Sequence, residues 1–150
     1  MTPDATPTTQ RCVFCAIADR RAEASVVHDD ETAVAFMDLC PVTPGHLVVV
    51  PRKHSAGLGD LDTATGAHIW SVGHRLARAL RRSDLRPDGI NVLVCDGEAA
   101  LQTVFHFHPH VIPRYLGDGW TLGTESPPAR ERALLDADAQ TIREALAAMT

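Results

Sequence analysis

The stretch Gln102-Thr103-Val104-Phe105-His106-Phe107-His108-Pro109-His110-Val111-Ile112-Pro113-Arg114 decides how the chain is read. Histidine alternates with other residues through its middle. In an extended strand, residues two apart share a face, so His106, His108 and His110 project together. Phe105, Phe107, Pro109 and Val111 then project the other way, toward helix or core. On a helix the same spacing would scatter the imidazoles around the axis. The pattern predicts a strand over 103–112. Pro109 has no N–H to give a ladder, which predicts pairing on one side only at that point. Three imidazoles on one face suit a metal site, or nucleophilic and acid–base chemistry. A solvated face is the plain alternative.

Upstream, Val26–His28 and Thr32–Leu39 read as short strands around the turn Asp29-Asp30-Glu31. Pro41, Pro44 and Gly45 make a rigid loop. His46–Val50 is the next strand, closed by Pro51. Its valines at 48, 49 and 50 suit a central strand covered on both faces. Leu61, Thr65, Ile69, Val72, Leu76 and Leu80 recur every three or four residues. That spacing predicts an amphipathic helix over 60–82, with Asp60 as N-cap. Gly73 lies beside the stripe and offers room for close packing. Arg75, Arg78, Arg81 and Arg82 crowd the C-terminal half, where positive charge complements the helix dipole.

Ile90–Cys95 reads as a strand and Asp96–Leu101 as a loop. Tyr115–Pro128 is a long loop, expected to border the pocket or a partner, with Trp120 at its centre. Ser126 and Pro127 mark the start of a terminal helix, whose stripe is Leu135, Ala139, Ile142, Leu146 and Met149. This order predicts an α+β domain: an antiparallel sheet of about five strands with two main helices. Residues 1–11, rich in Thr and Pro, read as a flexible arm. Residues 12–150 read as a single domain.

Fourteen basic residues against nineteen acidic give a net charge of −5. That balance argues against a nucleic-acid backbone binder and leaves room for a small phosphorylated substrate. No apolar run approaches ~18 residues, so no membrane partner is expected. Met1–Arg11 lacks the apolar segment of a secretory signal, so a cytoplasmic location is expected. Of the four cysteines, Cys12, Cys15, Cys40 and Cys95, only Cys12 and Cys15 have motif spacing. That CxxC reads as a redox pair, half a zinc site, or two small apolar residues in a turn.

Taken in order, these blocks resemble the histidine-triad (HIT) nucleotide hydrolases and transferases. Gln102-Thr103-Val104 followed by His106-x-His108-x-His110 carries the likeness. So do Ala35-Phe36-Met37-Asp38-Leu39-Cys40-Pro41-Val42-Thr43-Pro44-Gly45-His46-Leu47-Val48-Val49-Val50-Pro51-Arg52-Lys53-His54 and Asp96-Gly97-Glu98-Ala99-Ala100. The resemblance runs from about Cys12 to Arg114. It implies a HIT-like fold and hydrolysis of nucleoside phosphoramidates or dinucleoside polyphosphates through a covalent nucleotidyl-histidine on His108. The carbonyl of His106 would hold the nucleophile's ring, and His110 and His46 would serve phosphate or leaving group. Gln102 and Thr103 match residues that orient the ring or contact phosphate, and Asp38 matches the carboxylate that holds the ribose. Phe14, Ile17, Phe36 and Leu39 are candidates for the purine slot. Asn91 keeps its usual place. The resemblance also implies a homodimer and a structural Zn²⁺ on Cys12, Cys15, His54 and His106.

Two departures stand out. Cys95 replaces an Asn or Gln that contacts phosphate, and a thiol is a weak donor. Leu101 replaces a glycine. Both motivate a rival reading, a nucleotide-binding regulatory protein with weak catalysis. A nucleotidyl transferase or phosphorylase, and a metalloenzyme with zinc on all three triad histidines, are further alternatives. The galactose-1-phosphate uridylyltransferase branch has Gln third in its triad, so His110 favours hydrolysis. Read without the family, His46 is a packed strand-start residue, Asp38 a turn carboxylate, Thr103 a strand threonine and Phe36 core.

Overall fold

The run Leu47-Val48-Val49-Val50-Pro51 is the spine of the sheet, with every residue buried. A computed structural model describes residues 12–122 and 127–149. Its strands are β1 (Val26–Asp29), β2 (Ala33–Met37), β3 (Leu47–Pro51), β4 (Gly89–Leu93) and β5 (His110–Arg114). Its helices are α1 (Val13–Ala18), α2 (Thr63–Arg82) and α3 (Arg132–Ala148). The sheet order is β1-β2-β3-β5-β4, with every pairing antiparallel. This is the expected α+β architecture with its five strands.

Period-two alternation splits β2 and β3 between two cores. Ala33, Ala35, Leu47 and Val49 pack with Val111 beneath Ile69, Val72 and Leu80 of α2. Val34, Phe36, Val48 and Val50 pack on the other face with Ile17 and Ala18 of α1. Val48, Val49 and Val50 are 1%, 0% and 0% exposed, as a strand covered on both sides requires. Each such side chain contributes roughly 1.5–3 kcal/mol of burial. The six-residue α1 is what covers the second face, so the CxxC segment belongs to the core.

Several boundaries differ from the sequence reading. The N-cap of α2 is Asp62, which accepts the Thr65 N–H at 2.9 Å, and the helix starts at Thr63. Asp60 instead ends a 3-10 turn, Leu58–Asp60, and accepts the Ala56 N–H. Gly73 is buried, but a Cβ there would meet Val111 and Val49 at ordinary contact distances of 3.8 and 3.9 Å. An alanine would fit, so close approach does not demand the glycine. The ladder of β5 begins at His110 rather than Thr103. Before it, the chain makes isolated backbone bonds: Phe107 N–H to the Ser55 carbonyl at 2.7 Å, and Val49 N–H to the Pro109 carbonyl at 3.0 Å. Pro109 is thus bonded only on the β3 side. Leu93 lies opposite His110, so residues 94 and 95 have no partner strand and β4 stops early. Phe107 and Val111 join the α2 core as expected, whereas Phe105 is half exposed.

The described residues form two compact units, one ending at Asp118 and one beginning at Gly119. In the second, α3 starts at Arg132, later than expected from Pro127, and Arg130 pairs with Asp138 at 2.8 Å. Ser126 and the arm at 1–11 lie outside the described residues. No described helix is long and apolar enough to cross a membrane.

Candidate active site

Gly45 sets up the site. Its φ is +94°, and a Cβ would lie 2.7 Å from Leu85 Cδ1 and 3.0 Å from Pro113 Cγ. Only glycine suits that turn, and the chain enters β3 with His46 pointing to the α1 side. The Thr43 hydroxyl donates to the Pro113 carbonyl and ties the loop to β5.

Backbone partners fix the tautomers of three imidazoles, and one of these fixes a fourth. The Val42 N–H donates to His46 Nδ1 at 3.0 Å, so neutral His46 carries its proton on Nε2. That Nε2 lies 2.9 Å from His110 Nδ1 and donates to it. Neutral His110 therefore carries its proton on Nε2. His108 Nδ1 donates to the His106 carbonyl at 2.6 Å, which leaves the His108 Nε2 lone pair bare. His106 Nε2 donates to the Pro51 carbonyl at 2.7 Å, which leaves its Nδ1 as a ligand. The His108 and His110 rings stand 4.9 Å apart, and Phe14 packs edge-on to His108 at 5.0 Å.

Burial favours the neutral rings. It lowers the pKa of His46 and His108 below the usual imidazole value. His110 falls to about 4, by burial first and then by the neighbouring His108 and His46. Asp38 opposes the shift; its Oδ2 is 3.5 Å from His46 Nε2 and 3.9 Å from His110 Nδ1.

His106 turns away from this pair. Its Nδ1 lies 3.4 Å from Cys12 Sγ and 3.5 Å from Cys15 Sγ, and His54 Nδ1 lies 3.3 Å from Cys15 Sγ. The ligand atoms of these four residues all lie within 4.8 Å of one another. Burial, followed by the hydrogen bond and charge of Cys12, pushes the Cys15 thiol up to about 11. Two adjacent thiolates are thus unfavourable without a cation, and a cation would reverse that balance. Two sulfurs and two imidazole nitrogens match the donor set of structural zinc, and the group fits such an ion. None of the metal-capable groups among the described residues contains His108, and none joins two triad histidines. The three triad rings do not converge on one ion.

The remaining sequence candidates occupy varied places. Ile17 and Phe36 are buried in the α1-side core, while Leu39 is almost wholly exposed. Thr103 is exposed. The Gln102 side chain is buried and spends its amide on backbone: Oε1 accepts the Gly97 N–H, and Nε2 donates to Ala56 and Val104 carbonyls. It braces the loop before the triad. Asn91 Oδ1 accepts from Arg114 at 2.7 Å, and Cys95 is half-buried. Leu101 has φ +68°, a left-handed conformation that explains glycine's suitability there. Sequence reasoning missed the Pro51 carbonyl and the Val42 N–H, because a backbone partner leaves no mark in side-chain identity.

The family profile described as HIT domain matches residues 19–117. The chain belongs to the HIT family. An uncharacterised HIT-like protein of Mycobacterium tuberculosis is 38% identical over 136 residues, covering 91% of this chain and 93% of that protein. A crystal structure of a Zn-bound histidine triad family protein from Mycobacterium smegmatis is 42% identical, with a TM-score of 0.72, over 91% of this chain and 99% of that one. A histidine triad nucleotide-binding protein from Candida albicans is 25% identical, with a TM-score of 0.82, over 93% and 99%. All three strands flanking the histidine site, β2, β3 and β5, lie within the span matched to the HIT domain.

Proposed function

We propose that this HIT protein hydrolyses nucleoside phosphoramidates or dinucleoside polyphosphates through a nucleotidyl-histidine on His108. The observation that carries the reading is the His108 Nδ1–H bond to the His106 carbonyl, which leaves Nε2 free to attack phosphorus. The bond to the leaving group breaks as the Nε2–P bond forms, and the leaving group takes up a proton. Water then attacks phosphorus, loses a proton and frees neutral His108. Splitting the displacement in two lowers each barrier. His110, with its proton held on Nε2 through the His46 bond, donates a hydrogen bond to a phosphoryl oxygen or leaving atom. Asp38 is the carboxylate for the ribose, and Phe14 lies at the His108 edge of the base slot.

In this reading Cys12, Cys15, His54 and His106 hold one Zn²⁺, and the M. smegmatis relative supports it. Four ligands close its coordination, so the ion is structural and ties α1 to the segment carrying His108. The protein acts as a homodimer; a sedimenting species near the chain mass of 16.2 kDa would contradict that. The function is tested by product release from adenosine 5′-phosphoramidate and diadenosine polyphosphates, wild type beside His108→Ala. Turnover lost in the variant is expected, and equal turnover overturns the proposal. Added inorganic phosphate separates hydrolase from phosphorylase, since the latter releases a diphosphate.

A further inference from the structure

A second cluster of ligand-type side chains lies away from the histidine site, where the β1–β2 hairpin meets α2. Asp30 is held rigidly by its own turn: Oδ1 accepts the N–H groups of Thr32 and Ala33, both at 2.8 Å, and its carbonyl accepts from Arg52 Nε. Oδ2 is left for other partners. Two imidazoles from different elements converge on that one atom, His28 Nε2 from β1 at 2.6 Å and His68 Nε2 from α2 at 2.7 Å. The β1–β2 register shifts between Val26 and His28, and such bulges re-aim side chains. His28 is the only residue of β1 that is not exposed.

We propose that His28, Asp30 and His68 form a second, solvent-open site for a divalent transition-metal ion of the zinc class. One carboxylate and two imidazoles are borderline donors suited to Zn²⁺, Co²⁺ or Ni²⁺. Their ligand atoms already lie within 4.8 Å of one another. Ligands at about 2.0–2.1 Å around a tetrahedral ion stand roughly 3.3 Å apart, so the Nε2–Oδ2 contacts must open by well under 1 Å. His68, whose side chain is 42% exposed, can make that movement. With the ion bound, each ring carries its single proton on Nδ1 and presents the Nε2 lone pair. Three protein ligands leave at least one position to water. The ion would clamp the hairpin to α2, and its donor set has no sulfur, unlike the group around Cys12.

The test uses full-length, tag-free protein dialysed after zinc loading, then titrated with Zn²⁺ by calorimetry and counted by elemental analysis. Wild type is expected to take one more ion than His68→Ala, whatever the Cys12 group holds. Loss of this ligand should weaken the added binding by at least about tenfold, the lower end of what even outer-shell partners cost. Nitrogen-15 imidazole spectra should show His28 and His68 moving from the Nε2–H to the Nδ1–H form as Zn²⁺ is added. Co²⁺ at this site should give d–d bands without a thiolate charge-transfer band. Equal ion counts and affinities in wild type and His68→Ala would overturn the proposal, as would unmoved imidazole signals. His68 lies on a half-exposed helix position, so the variant folds; His28→Ala serves as a second variant with the same expected loss.

Discussion

Replacing Leu101 by glycine should stabilise the protein. Leu101 has φ +68° and ψ 24°, directly after the 3-10 turn Glu98–Ala100. A left-handed conformation costs an L-residue roughly 1–2 kcal/mol. The residue is 81% exposed, so truncation forfeits little burial. Glycine gives back about 0.5–1 kcal/mol through the greater freedom of its unfolded chain. The net gain is about 0.5–1 kcal/mol, or a rise of ~2–4 °C in Tm per kcal/mol at this chain length. The loop itself should not move, because the buried Gln102 amide bridges Gly97, Ala56 and Val104. Urea unfolding of wild type, Leu101→Gly and Leu101→Ala provides the assay. Alanine keeps the Cβ and the strain, so it should change little. A glycine variant no more stable than the alanine variant would refute the strain argument.

Other perturbations have equally definite outcomes. Gly45→Ala should cost ~2 kcal/mol or more in urea unfolding, since it combines a positive φ with a Cβ 2.7 Å from Leu85. Burial depresses the pKa of His110 to about 4, whereas the unfolded ring titrates near 6.5. The unfolded state then binds more protons between these values. The associated stability is full above pH ~6.5, falls as pH drops toward 4 and amounts to at most about 3 kcal/mol. Urea unfolding from pH 7 to 4 should show the fall, with a shallower slope in His110→Gln. Cys12→Ser should lower Tm and bind one zinc fewer per chain than wild type; a zinc count and a Tm both equal to those of wild type would argue against Cys12 as a ligand.

The residues that were legible in the sequence are those with a period. The valines of β3 announced a two-faced strand, and the stripe from Ile69 to Leu80 announced α2. The 106–108–110 spacing placed three imidazoles near one another, but among them only the His108 and His110 rings pack together, 4.9 Å apart. His106 faces the cysteines because the Pro51 carbonyl holds its Nε2. Backbone groups decide such matters, and they carry no sequence signal. The strand over 103–112 was overestimated for a related reason: alternation persists in extended chain that forms no ladder. Asp60 and Asp62 are equally good caps by type, and packing of Leu61 against the α2-side core settles which one the helix uses. The cluster of His28, Asp30 and His68 was illegible, since His68 lies 38 positions beyond Asp30 in the chain and meets it only where the hairpin packs on the helix.

The reading of His108 as nucleophile meets its most direct test in the mass of the protein itself. Wild-type enzyme is mixed with an adenosine phosphoramidate in single turnover, quenched within the first turnover and weighed intact, with the modified peptide sequenced. A transient gain of one adenylyl group on His108, absent from His108→Ala, is the expected result. Product formation at full rate with no protein-bound adenylyl group, or a group carried on another residue, would contradict it.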